Sequence, residues 1–159
     1  MRLRVEWPIL FIVINTLTKE KTNLMTNKSL LILVVSCSGD LQNGLLALVT
    51  TIPTISAVLV AENVSSALRM IASHHPKLII LDMSLPNVGE TIHDIKSHWP
   101  DIHLNVLADD ILQQDEAEDS GADSVLIKGF HAQKLVDIVE SVIANQADRT
   151  NENPMAIDK

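Results

Sequence analysis

Two ionisable residues stand where aliphatic runs end. In "LIILDMSLPN" (78–87) four aliphatic residues lead into Asp82, and in "SVLIKGF" (124–130) the run closes on Lys128. A carboxylate and an ammonium delivered by strand ends to one rim form an ion pair, and its role depends on what else reaches that rim. A third run, "LLILVV" (30–35), is followed by Ser36, Cys37 and Ser38. A thiol near a cation ionises more easily and reacts faster, so Cys37 reads either as a redox-sensitive thiol or as a small residue filling space. The histidines carry no metal-ligand spacing: His93 and His98, five apart, do not share a helix face. No Gly-rich phosphate loop, nucleophile elbow or pair of catalytic carboxylates is present, so the chain reads as a non-enzyme.

The elements that must position these residues alternate regularly. Strands are predicted at 30–35, 55–60, 77–82, 102–108 and 124–128, with helices at 41–52, 64–73, 90–99, 109–120 and 132–144. Asp40 and Asn63 are the expected N-caps of the first two helices, and Gly121 falls just past the fourth. The strands are aliphatic throughout rather than alternating, the pattern of a parallel sheet buried on both faces. The fold class is therefore α/β, a five-stranded parallel sheet with helices on both faces. In such folds sites lie beyond the carboxyl ends of the strands. Asp82 and Lys128 are expected to meet there.

The chain has 159 residues, enough for one domain with a substantial core. Its net charge of −8 is uneven: residues 29–146 carry five basic and fifteen acidic side chains, whereas residues 1–28 carry five basic and two acidic. Such an acidic domain repels phosphates, which argues against direct nucleic-acid binding. A single cysteine fits a reducing compartment, so a cytoplasmic location is expected. The apolar "WPILFIVINTL" is too short to span a bilayer, and no integral membrane segment is expected. Residues 1–28 read as an N-terminal extension, with Met25 as an alternative start, residues 29–146 as the domain, and residues 147–159 as a polar tail.

Over residues 29–146, "LIILDMSLP", "WPDIHLNVL" and "SGADSVLIKGF" come in the order and near the spacing of the receiver domain of bacterial two-component response regulators, which the chain resembles. The resemblance implies a flavodoxin-like receiver fold and a place in two-component signalling or phosphorelay. It casts Asp82 as the acceptor of a phosphoryl group from a histidine kinase and Lys128 as the partner of the added phosphate. In the family Mg²⁺ is held by the phosphoacceptor and an acidic pair after the first strand. Here Ser36 and Cys37 replace that pair, and neither supplies the hard anionic oxygen that Mg²⁺ prefers. The family's hydroxyl residue after the fourth strand is replaced by Ala108 or, in the other alignment, Val106, and its usual proline after the lysine by Gly129.

These departures describe a degenerate, pseudo-receiver-like domain. The expectation is a stand-alone, phosphorylation-independent protein-binding module without metal or other cofactor, which presents the face of helices 109–120 and 132–144 to a protein partner. The first of these helices carries six acids between positions 109 and 119, and receivers often form homodimers through this face. The alternative is a phosphoacceptor response regulator, phosphorylated on Asp82 by a histidine kinase with Mg²⁺ bound. A fragment of a longer regulator is a third reading.

Overall fold

The computed structural model describes residues 30–152. The N-terminal extension, with Met25, and the end of the tail lie outside these residues. Five strands and five helices alternate: β1 (Leu30–Val35), α1 (Gly39–Val49), β2 (Ile55–Ala61), α2 (Val64–His74), β3 (Leu78–Asp82), α3 (Val88–His98), β4 (His103–Ala108), α4 (Ile111–Ser120), β5 (Ser124–Ile127) and α5 (Ala132–Glu152). All strand pairs are parallel and their order is β2-β1-β3-β4-β5. This is the flavodoxin-like order, in which the direction of winding reverses beside β1 and leaves a crevice at the strand ends.

The aliphatic strands face two cores. Leu33, Val35, Ile79, Leu81, Leu104 and Val106 pack under α2, α3 and α4, which contribute Ile71, Ile92, Ile95 and Ala117. Ile32, Val34, Leu78 and Ile80 pack on the other face against Leu45 and Val49 of α1 and Leu135, Val139 and Val142 of α5. Successive residues of a strand point to opposite faces, so a sheet sandwiched between two helical layers needs apolar residues at every position. Each fully buried Leu or Ile contributes about 1.5–3 kcal/mol relative to exposure.

Several element ends shift by one to three residues, α1 closing at Val49 rather than 52 and α3 opening at Val88 rather than 90 among them, and three differences have a visible cause. Ser38, not Asp40, caps α1: its hydroxyl accepts from the Leu41 amide, while Asp40 lies in the first turn beside the positive helix end. The fourth helix begins at Ile111, capped by Asp110 through the Gln113 amide, which leaves Asp109 in the loop. The last helix continues to Glu152, into the segment read as a frayed tail; "NQADRTNE" is polar but contains no helix breaker, so it extends a helix already nucleated by its buried stripe. Asn63 caps α2 as expected, and Gly121 ends α4 in the left-handed conformation at φ 112°.

Candidate functional site

At the carboxyl edge of the sheet β3 lies between β1 and β4, with β5 next to β4, so the residues that follow these strands share one rim. Asp82 closes β3 and is 1% exposed. Three donors hold its two oxygens. Oδ1 accepts from Lys128 Nζ at 2.8 Å and from the Ser84 amide at 3.0 Å, and Oδ2 accepts from the Ser36 hydroxyl at 2.9 Å. Ser36 is itself fully buried, anchored by its amide to the Ala61 carbonyl, and its own carbonyl accepts from the Gln42 side chain of α1.

Lys128 comes from the residue after β5, and its amide donates to the Ala108 carbonyl at 2.8 Å. Gly129 follows at φ 92°, a left-handed conformation that a side chain strains, and turns the chain away at once. The ammonium contacts Asp82 Oδ1 at 2.8 Å, Asp109 Oδ1 at 2.8 Å and the Ser84 hydroxyl at 2.9 Å. An ammonium has three N–H donors, and here three acceptors meet them.

Electrostatics follow from this geometry. Burial pushes the Asp82 carboxyl up, but the Lys128 ammonium, the Ser84 amide and the Ser36 hydroxyl outweigh it and hold the group below its ordinary range. Burial likewise pulls Lys128 down, and hydrogen bonds with Asp109 and Asp82 reverse that pull and raise it. Both groups are therefore charged at neutral pH. Two carboxylates around one ammonium leave the cluster with one net negative charge.

Asp82 and Lys128 meet as their strand ends require. Ala108 and Val106 are buried in β4 and present no polar group to the rim. Cys37 is exposed beside it, a free thiol. Spacing alone does not single out Asp109 or Ser84. The usable signal for Asp109 is its place directly after the last residue of β4, as Lys128 stands directly after β5; Ser84 lies two residues past Asp82, within reach of a loop that folds back over it.

Two other surface features stand apart from the rim. A cleft of about 440 Å³ at the opposite end of the sheet is lined by Lys77, Lys96, His103 and Asp123. Lys96 there donates to the Pro100 and Ile102 carbonyls and to Asp123, a cluster that ties the amino ends of β4 and β5 to α3. On α4, Ile111 and Leu112 are 64% and 79% exposed, next to the acids Asp115, Glu116, Glu118 and Asp119. Among the described residues no helix is long and apolar enough to cross a membrane.

Comparison with known proteins agrees with this architecture. The model of the response regulator receiver domain family matches residues 32–140. Among solved structures, the signal receiver domain of an HD domain-containing protein from Pseudomonas fluorescens superposes with a TM-score of 0.69 at 20% identity, covering 78% of this chain and 93% of that one. A LuxR-family two-component response regulator from an Aurantimonas species gives 0.66 at 19% identity, covering 74% and 86%. The receiver domain of NtrX from Brucella abortus gives 0.64 at 23% identity, covering 71% and 98%. No curated protein matches the sequence. At these identities the structures speak for the fold, and the match over residues 32–140 speaks for the family: the chain belongs to the response regulator receiver domain family.

Proposed function

We propose that this receiver domain is a phosphorylation-independent protein-binding module in signalling, in which Asp82 and Lys128 hold the rim together. The observation that carries this reading is the saturation of Lys128: Asp82, Asp109 and Ser84 take its three donors. Phosphoryl donors are anions, and a cluster already bearing net negative charge opposes their approach.

The donor set does not suit Mg²⁺, the ion that the family resemblance implies. Beside Asp82 stand the Ser36 hydroxyl, already donating to the carboxylate, and the exposed Cys37 thiol, where hard anionic oxygens are needed. The reading accordingly assigns the domain no cofactor and no catalytic turnover. Its working surface is the α4–β5–α5 side, where Ile111, Leu112 and Ile127 are exposed and α4 carries Asp115, Glu116, Glu118 and Asp119. An apolar anchor set in an acidic surround fits a partner with a basic rim.

The second reading, a phosphoacceptor regulator served by a histidine kinase, draws on the ionised Asp82 carboxylate at the strand tip with a lysine beside it. Amide spectra separate the two. On addition of acetyl phosphate and Mg²⁺, a module shows no change in its α4 resonances, either in the wild type or in Asp82→Asn. A phosphoacceptor shows shifts in the wild type that the variant lacks.

A further inference from the structure

Asp109 belongs neither to β4 nor to α4. It is the loop residue between Ala108, the last residue of β4, and Asp110, the N-cap of α4. Its amide donates to the Gln113 side chain at 2.7 Å, which fastens it to the first turn of the helix. Its carboxylate points the other way: Oδ1 lies 2.8 Å from Lys128 Nζ, and Oδ2 accepts a long 3.4 Å contact from the Ser84 hydroxyl. The side chain is 49% exposed, against 2% for Asp82 on the same ammonium. Lys128 is thus held on its inner side by a buried carboxylate and on its solvent side by a tethered one.

We infer that Asp109 is a built-in anion: it occupies the solvent-facing donor of Lys128, keeps external oxyanions off the rim, and fixes the β4–α4 loop and the first turn of α4 in one arrangement. The chain supplies intramolecularly, at a high effective concentration, the negative group that a diffusing phosphate would otherwise bring. The competitor must displace a charge-assisted hydrogen bond and also approach two carboxylates. This inference rests on the phosphorylation-independent reading and assigns its cause to one residue. Asp109 acts through Lys128, as a positioning residue, and touches no substrate.

The test is a titration of the full chain with inorganic phosphate, followed by the amide resonances of Ser84, residue 109 and Lys128 and by the Lys128 ammonium signal. In Asp109→Ala one donor of Lys128 is released, and phosphate produces saturable shifts with a midpoint on the order of 10 mM. The wild type binds at least about tenfold more weakly, Asp109→Asn falls between, and Asp109→Ala with Lys128→Ala shows no saturable shift. Half-exposed Asp109 is outside the core, so its two single variants fold; the double variant also loses the counter-ion of buried Asp82, and circular dichroism checks the fold of all three. Phosphate binding at these amides in the wild type as tight as in Asp109→Ala overturns the inference, as does a lack of binding by Asp109→Ala. Acetyl phosphate labelling of wild-type Asp82 would instead end the phosphorylation-independent reading, while the titration of unlabelled protein still judges Asp109.

Discussion

The Ser36 hydroxyl donates a 2.9 Å hydrogen bond to Asp82 Oδ2, joining the ends of β1 and β3 inside the fold. Both residues are buried, so this bond satisfies an oxygen that water does not reach. Ser36→Ala removes the donor and is expected to cost about 1–3 kcal/mol of stability, read as a lower midpoint in urea unfolding with an unchanged slope. Ser36→Asp places a second carboxylate against the first and should destabilise more. An unchanged midpoint for both variants would mean that Ser36 does not support Asp82.

Loss of Lys128 strips a buried carboxylate of its counter-ion. Lys128→Ala should cost about 3 kcal/mol, the low end for a broken buried pair because the lysine is partly exposed. Asp82→Asn keeps a hydrogen-bond acceptor in place and should cost less. Equal midpoints for Lys128→Ala and the wild type in chemical unfolding would contradict the ion pair's structural role.

The pH dependence of stability follows from the directions of the shifts. Asp82 is lowered in the fold, so its contribution is present above the unfolded carboxylate value of about 3.9 and is lost as pH falls through the lower folded value. Lys128 is raised, so its contribution is present below about 10.4 and is lost as pH rises through the higher folded value. Between these limits the pair contributes evenly. Asp82→Asn should flatten the acid limb of a stability profile and leave the neutral plateau level.

His103 supplies the slope near neutrality. Burial, aided by Lys96 and opposed by Asp123, holds its imidazole below the ordinary value, and its Nε2 lies 2.9 Å from the Ser124 hydroxyl. The unfolded chain takes up the proton first, so stability should decline as pH falls below about 6.5 toward the folded value. His103→Asn should remove that decline in melting curves recorded between pH 7.5 and pH 5.5, a span that brackets about 6.5; a decline of the same size in the variant would assign it elsewhere.

Ile111 and Leu112 carry little of the fold. Their exposure predicts that Leu112→Ser changes stability by no more than about 0.5 kcal/mol. If copies associate through this face, the same substitution lowers the weight-average mass in sedimentation. A large loss of stability would show that Leu112 packs within the domain.

How much of this is legible in the chain depends on what each feature needs. The sheet and the meeting of Asp82 with Lys128 follow from aliphatic runs and the rule for strand ends, because a parallel sheet delivers every strand tip to one edge. Asp109 is hidden because it precedes another acid, and the pair reads equally well as the charged start of a helix. Which acid caps and which turns to Lys128 is decided by the pairing of Ala108 with Ile127, a matter of one residue that periodicity does not resolve. The Ser38 cap is hidden for the same reason: Asp40 is as good a capping type two residues on, and the loop path chooses.

The central claim, a receiver domain whose rim is closed without phosphate, is tested most directly by intact mass after incubation with acetyl phosphate, with and without Mg²⁺, beside an Asp82→Ala control. The account predicts the same unmodified mass in every sample. A mass gain of one phosphoryl group that requires both Mg²⁺ and Asp82 would contradict it and make the phosphoacceptor reading the correct one.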